Sequence, residues 1–248
     1  MSESARVETI FLEIVDFCRK NADSVQADKY RRYFAEGYDP YGIPQDVYDR
    51  QKEEWIKKYR DVLSADDVLR LGELLFKSGK YEEGSFAIGI MVAYKDGFTV
   101  NTFQGTGRWL ESGVCNWAHT DSICTHLLTH FIKNGIVTYE DMSAWRNSPS
   151  RWKRRAVPVT MLACLKRDFD TKELLEFIRP MMADKERVVH QGVGWLLREI
   201  WKKDPEPVEE FLLEWKDTAP RLIFQYATEK MSKEEKSRFK KAPKASTR

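Results

Sequence analysis

The chain has 248 residues, of which 42% are hydrophobic and 32% are charged, and its formal net charge is +2. This balance is typical of a soluble globular protein and excludes a largely disordered chain or a membrane protein. Because the net charge is close to zero, only local clusters of basic residues can point to an anionic partner. Two such clusters occur, the run RNSPSRWKRRAVP at 146–158 and the tail that follows Lys230.

The sequence contains no segment that predicts export or membrane insertion. Its start, MSESARVETIFLEIVDF, mixes acids with apolar residues and lacks the pattern of a signal peptide. The longest apolar run, FAIGIMVAY, is too short to span a bilayer. The four cysteines are scattered without a CxxC pair, which is typical of buried thiols in a reducing compartment. We therefore expect a cytoplasmic protein with no membrane partner.

Apolar residues recur at helical spacing along most of the chain. The segment 7–21 places Ile10, Ile14 and Cys18 on one face, and the segment 64–79 opens with Ser64 as a helix cap and closes on Gly79. Further helices are predicted at 24–36, 45–60, 82–95, 100–112, 116–133, 138–147, 150–166, 171–181, 186–203 and 206–216.

A dozen short helices with short connections and no strand pattern predict an all-α fold. Stacked antiparallel helix pairs would form a HEAT-like α-solenoid, a curved superhelix; an irregular helical bundle is the alternative. No internal domain boundary is visible, so the prediction is one HEAT-like domain over residues 1–230. The basic tail at 231–248 is expected to be disordered.

One helix carries an unusual pair beside its apolar stripe. In the segment 116–133, Trp117 and Asp121 are spaced i, i+4 and therefore lie side by side at the edge of that stripe. A half-buried carboxylate requires a partner. Asp121 is therefore either paired with an arginine or a helix N-terminus, or it is a catalytic carboxylate beside an indole.

Two further segments carry residues that do not fit a purely apolar core: a tryptophan that lies off the apolar stripe and an arginine that lies on a semi-apolar side. Trp195 points away from the apolar stripe of 186–203, on the side that carries Arg198, and it either packs on a neighbouring helix or meets a ligand. Arg155 lies on the semi-apolar side of 150–166 beside Trp152 and must find an anion, which is either Asp121 or a phosphate.

Other chemical patterns are weak. His126 and His130 have the i, i+4 spacing of two zinc ligands, but HLLTH lacks the glutamate of a zinc hydrolase, so no metal site is predicted. FQGTGRW at 103–109 is not followed by the lysine of a phosphate-binding loop. The tryptophan and the carboxylate remain the main chemical signal.

Four segments resemble one known family, the DNA alkylation repair glycosylases of the AlkD type. These segments are NWAHTDSI (116–123), RWKRRAV (151–157), GWLLRE (194–199) and RRYFAEGYDPYGIP (31–44), and their order and separations match across roughly 30–215. The resemblance departs from the family pattern within the first segment, where AHT replaces a more acidic spacer.

The resemblance implies an enzyme that binds duplex DNA and hydrolyses the N-glycosidic bond of N3- and N7-alkylated purines without metal or cofactor. By motif position, Asp121 matches the catalytic aspartate, and Trp117 and Trp195 match two tryptophans of the DNA cleft. Arg155 matches an arginine near the DNA backbone, and Tyr33 matches a DNA-contacting tyrosine. We add Arg198 as a DNA-binding residue and expect a monomer.

The alternative is a noncatalytic HEAT-like scaffold that binds DNA or protein. A fold can be reused without its original chemistry. The joint presence of Trp117, Asp121, Arg155 and Trp195 favours the enzyme, since a scaffold has no need of all four.

Overall fold

The structure is a computed structural model that describes residues 3–34, 37–163, 165 and 170–241. Within these ranges the ordered elements are α-helices with short 3-10 and π segments, and none of these residues is in a strand. The all-α class predicted from the sequence is therefore confirmed.

Fourteen α-helices occur in the described ranges. They are α1 (Glu3–Lys20), α2 (Ser24–Tyr30), α3 (Gln45–Tyr59), α4 (Ala65–Phe76), α5 (Tyr81–Val92), α6 (Val100–Ser112), α7 (Trp117–Ile123), α8 (Thr129–Lys133), α9 (Arg151–Met161), α10 (Thr171–Ile178), α11 (Arg187–Trp201), α12 (Pro205–Trp215), α13 (Arg221–Ala227) and α14 (Lys233–Ser237). A 3-10 turn at Arg31–Tyr33 follows α2, and a π turn at Cys124–Leu128 joins α7 to α8. None of the described helices is long and apolar enough to cross a bilayer.

Most predicted helices are present, and a side-chain cap explains the start of several of them. At α4, the Ser64 hydroxyl accepts a bond from the Asp67 amide at 3.1 Å, and the Asp67 carboxylate accepts one from the Ser64 amide at 2.9 Å. This reciprocal pair is a capping box, which satisfies two amides that the helix leaves open. The predicted helix at 138–147 is instead a 3-10 segment, Glu140–Asn147.

The chain divides into two compact units, Met1–Thr138 and Tyr139–Arg248. In the first unit, α4 packs against α1, α5 and α6. Trp109 of α6 is buried there and donates its indole N–H to the Leu69 carbonyl at 3.1 Å. A side chain at Gly72 would begin only 2.1 Å from this indole, so the glycine allows α4 to approach it. The single domain over 1–230 stays a prediction.

In the second unit, α11 packs against α9, α12 and α13. The contact with α13 is very close at Gly194. A Cβ atom at this position would lie 2.6 Å from the Ile223 carbonyl oxygen and 2.6 Å from the Tyr226 Cβ atom. Because one of these neighbours is backbone, a side chain here would force the two helices apart.

We expect Gly194→Ala to lower the free energy of unfolding by about 2 kcal/mol, the usual cost of overpacking a tight contact. Gly192→Ala in the same helix is the matched control. Its new Cβ would meet only side-chain atoms, the nearest being the Pro158 Cγ at 3.2 Å. Urea denaturation of both variants measures the difference; equal stability of the two would contradict the close-contact explanation.

The structure differs from the predicted disorder over residues 231–241. Here Ser232 caps α14, and Met231 and Phe239 are 4% and 1% exposed. The Arg221 guanidinium donates to the Phe239 carbonyl at 2.9 Å, which ties the segment to α13. Two apolar anchors among the lysines are enough to order the segment. Residues 242–248 of the predicted tail lie outside the described residues.

Candidate functional site

Trp117 and Asp121 both lie on the short helix α7 of the first unit. The helix begins after Asn116, whose side-chain oxygen accepts a bond from the His119 amide at 2.8 Å and caps the first turn. Trp117 is therefore the first helical residue, and it is 36% exposed. Asp121 lies one turn later and is half-buried. The structure thus places an indole and a carboxylate side by side.

The helix does not continue regularly after Asp121, although the sequence predicted one helix over 116–133. Residues Cys124–Leu128 form a π turn, and the Thr129 hydroxyl donates to the Cys124 carbonyl at 2.8 Å. A threonine side chain that bonds a preceding carbonyl competes with the regular helical ladder. Local π turns occur frequently at functional sites, so this π turn supports the assignment of a functional site near Asp121.

Trp117 and Tyr33 meet at a groove within the first unit. The groove has a volume of about 1020 Å³, and its aromatic lining comprises Tyr30, Tyr33, Phe34, Tyr38, Tyr48, Tyr81 and Trp117. The Trp117 indole N–H donates to the Tyr33 carbonyl at 3.1 Å. Two predicted site residues that are far apart in sequence are therefore brought into contact. Asp121 is not part of the groove wall.

The rings of this groove are ordered against one another. The Phe34 ring stacks on Trp117 with centroids 5.5 Å apart and on Tyr38 with centroids 4.3 Å apart. The Tyr81 ring meets Phe34 and Tyr38 edge-on, at 5.6 and 5.1 Å. Stacked and edge-to-face contacts are the preferred geometries of aromatic pairs. The wall is therefore preorganised.

A buried glutamate fixes the turn that follows these rings. The Glu82 carboxylate is 6% exposed and accepts the backbone N–H groups of Tyr41, Gly42 and Ile43 at 2.8, 2.8 and 3.3 Å. Gly42 has a φ of +82°, and a Cβ atom there would lie 2.0 Å from the Asp23 carbonyl oxygen. The turn thus requires a glycine at position 42.

His119 lies in the groove wall as a neutral side chain. Its Nε2–H donates to the Tyr81 carbonyl at 2.9 Å, and its Nδ1 accepts from the Asn116 amide nitrogen at 3.0 Å. It is 3% exposed, and burial lowers its pKa to about 4.

The neighbouring Ser85 hydroxyl lies 3.0 Å from the same Nε2 atom. Because Nε2 carries the proton, it cannot accept the proton of the Ser85 hydroxyl. Ser85, His119 and Asn116 therefore do not form the catalytic triad of a hydrolase.

The two histidines that follow His119 in this region do not form a metal site with neighbouring described residues. His126 is exposed in the π turn, and His130 is half-buried in α8, where its ring lies edge-on to Phe98. Burial lowers the pKa of both imidazoles, and nearby Lys95 lowers it further. Within the described ranges, no three His, Cys, Asp or Glu side chains are grouped so that they could hold a metal ion.

The remaining predicted site residues belong to the second unit. Arg155 of α9 is 6% exposed, and its Nη1 donates to the Val188 carbonyl at 2.7 Å. The sequence led us to expect a carboxylate or a phosphate beside it, so this contact with a carbonyl oxygen was not foreseen. Arg198 of α11 forms ion pairs with Glu199, at 3.0 Å, and with Glu229. Trp195 is half-buried on the same helix.

Sequence reasoning missed most of the groove. Phe34 and Tyr38 belong to the segment 31–44 but Tyr81 begins α5, and the three rings meet only in the fold. One signal was available: KYRRYF at 29–34 alternates basic and aromatic residues, which is a pattern of nucleic-acid-binding surfaces.

A family model described as "DNA alkylation repair enzyme" matches residues 18–231. The chain belongs to this family. The DNA alkylation repair enzyme family thus confirms the resemblance found in the four sequence segments, and it places the chain in DNA alkylation repair. No curated protein matches the chain.

Solved structures show the same fold. A predicted DNA alkylation repair enzyme from Enterococcus faecalis is 16% identical, with a TM-score of 0.72 over 86% of this chain and 98% of that chain. AlkD2 from Streptococcus mutans is 18% identical, with a TM-score of 0.57 over 74% of this chain and 90% of that one. The protein smu.31 from Streptococcus mutans UA159 is 17% identical, with a TM-score of 0.58 over 76% and 95%. The HEAT-like repeat fold predicted from the sequence is confirmed by these similarities.

Proposed function

We propose that this repair enzyme is a DNA glycosylase that excises cationic N3- and N7-alkylated purines from duplex DNA. The observation that carries the proposal is the Trp117–Asp121 pair, a partly exposed indole and a half-buried carboxylate one turn apart on α7. Such a pair suits an enzyme of this repair family. Alkylation leaves the purine with a positive charge, and a carboxylate and an aromatic ring both stabilise the positive charge that develops on the sugar when this base leaves. We also propose that the protein acts as a monomer.

The reaction breaks the bond between the deoxyribose C1′ and the purine nitrogen. The electron pair of this bond moves to the cationic base, which leaves as a neutral molecule. A water molecule adds to C1′ and releases one proton, so the products are the free base and an abasic site. The transition state carries positive charge on the sugar, as in glycoside hydrolysis.

Asp121 is proposed to stabilise this sugar cation and to orient the attacking water. A fixed carboxylate stabilises a developing charge without reorganising, provided that the surroundings are partly desolvated. It need not donate a proton, because the leaving base already carries a positive charge. The exposed face of Trp117 supports the same step, since aromatic rings attract cations.

The other predicted residues are proposed to hold the DNA backbone. Arg198 and Tyr33 would contact phosphates, and Trp195 would contact the sugar–phosphate chain. Arg198 is paired with Glu199 and Glu229, so a phosphate would replace a carboxylate partner. Arg155 holds a carbonyl at the start of α11 and would act on phosphates through its charge. The affinity for DNA should therefore fall steeply with salt.

The proposal predicts that the wild-type protein releases N7-methylguanine from methylated duplex DNA. The released base is measured by chromatography, and the abasic sites are measured by alkaline cleavage of the same DNA; the two yields should be equal. The reaction should proceed in the presence of a chelator, because no metal enters the mechanism. Duplex binding without release of N7-methylguanine or N3-methyladenine would instead favour the noncatalytic scaffold.

A further inference from the structure

Exposed aromatic side chains of the described residues are concentrated in one place. The large exposed hydrophobic residues include three aromatic ones, Tyr30, Tyr33 and Trp117, which are 45%, 54% and 36% exposed. All three line the groove of the first unit. Single exposed apolar residues need no explanation, but a contiguous cluster indicates a binding surface. The stacked rings of Phe34 and Tyr38 extend this surface.

Basic residues accompany the exposed tyrosines. Lys29 and Arg32 are exposed, and their charged groups lie 5.4 Å from the Tyr30 ring centroid and 4.9 Å from the Tyr33 ring centroid. Arg32 also donates to the Tyr33 hydroxyl at 2.9 Å. Cations and π faces therefore alternate over residues 29–33. Lys29 and Arg32 lie outside the groove lining itself, whose charged members are Asp49, Lys52, Glu53 and Glu82. Surfaces that bind single-stranded nucleic acid combine these features, because rings stack on bases and cations attract phosphates.

We propose that this groove binds an unpaired nucleotide of DNA. The base stacks on the aromatic side chains of the wall, and the flanking phosphates lie against Lys29 and Arg32. A paired base cannot do this, because its neighbours in the duplex cover both of its faces. The volume of about 1020 Å³ is ample for one nucleotide, as ligand sites typically measure roughly 300–1,000 Å³.

This inference rests on the proposed function to the extent that both require DNA binding. It differs in its ligand: the glycosylase reaction concerns the alkylated nucleotide and Asp121, which is not part of the groove wall, although Trp117 is shared by the two proposals. The groove is instead suited to any base that has lost its pairing partner, such as a nucleotide in a bulge. The two proposals can therefore fail separately.

The test compares two fluorescent DNA probes in anisotropy titrations with the full chain at one salt concentration. One probe is a fully paired duplex, and the other is the same duplex with one unpaired nucleotide at its centre. We expect the wild type to bind the bulged probe about tenfold more tightly, the usual effect of stacking one base. Tyr30→Ala and Tyr33→Ala should reduce the ratio of the two affinities to near one.

Val25→Ala is the matched control. Val25 lies on the same helix as Tyr30 and is 78% exposed, but it does not line the groove, so this variant should keep the full ratio. Equal affinity of the wild type for both probes, or a full ratio in both tyrosine variants, overturns the assignment of the groove. Neither result touches the glycosylase, which the release of N7-methylguanine tests. If the wild type prefers the bulged probe tenfold but releases no alkylated base, only the glycosylase proposal is wrong.

Discussion

Asp121→Asn should lower the rate of N7-methylguanine release by about 10²–10³-fold, the usual cost of removing one preorganised electrostatic group. Asparagine keeps the size and polarity of the side chain but removes its negative charge. The sugar cation then loses its stabilising partner, and the attacking water loses its strongest hydrogen-bond acceptor. The measurement is single-turnover release of the base from duplex DNA, which separates the chemical step from binding and product release.

Two controls distinguish the lost charge from a lost fold. The circular dichroism and thermal denaturation of Asp121→Asn should match those of the wild type, because Asp121 is only half-buried. Asp121→Glu keeps the charge but moves it by one methylene, so it should retain more activity than the asparagine variant. If Asp121→Asn released the base as fast as the wild type, the carboxylate would have no part in the reaction.

The mechanism also limits the range of bases. A neutral base such as uracil leaves as an anion, which needs a proton or a hydrogen-bond donor to stabilise it, and Asp121 is assigned neither role. We therefore expect no release of uracil from a duplex under conditions in which N7-methylguanine is fully released. Release of uracil would show that the site supplies a proton or an anion-stabilising donor to the leaving base, and the role of Asp121 would have to be revised.

The helices could be predicted because their signals, apolar periodicity and capping residues, lie within a few neighbouring residues. The bounds of α6 are those read from the sequence, 100–112, since Thr99 caps its start and Gly113 follows its end. The π turn after α7 was not predictable, because its pattern of apolar residues is that of an ordinary helix. The helix α13 was missed because its short apolar stretch follows a proline and has few turns.

The site was only partly predictable for a different reason. Trp117 and Asp121 share a helix, so their spacing was sufficient to pair them. The contact between Trp117 and Tyr33 joins residues 84 positions apart, and no periodicity reports it. The partner Glu229 of Arg198 was equally hidden, because the two residues are 31 positions apart and no helix was predicted around Glu229. Contacts between residues far apart in the sequence could be identified only once the fold was known.

His119 makes the stability of the first unit depend on pH in a range where few other groups titrate. In the folded state its pKa is lowered by burial from 6.5 to about 4, so it stays neutral. In the unfolded chain it binds a proton as the pH falls through about 6.5. The unfolded state then holds more protons than the folded state, and stability falls with pH between these two values. Each pH unit in this window costs about 1.4 kcal/mol.

The expected loss from His119 is about 2 kcal/mol between pH 7.5 and pH 5, and about 3 kcal/mol by pH 4. Paired carboxylates such as Glu13 and Glu199 have lowered pKa values, so they contribute mainly below pH 5. Urea denaturation between pH 5 and 7.5 therefore isolates the imidazoles. His119→Gln keeps a donor near the Tyr81 carbonyl but cannot be protonated, so it should lose most of the slope despite a lower stability at pH 7.5. An equal slope in this variant would mean that His119 does not carry the effect, and that the lowered pKa values of His126 and His130 do.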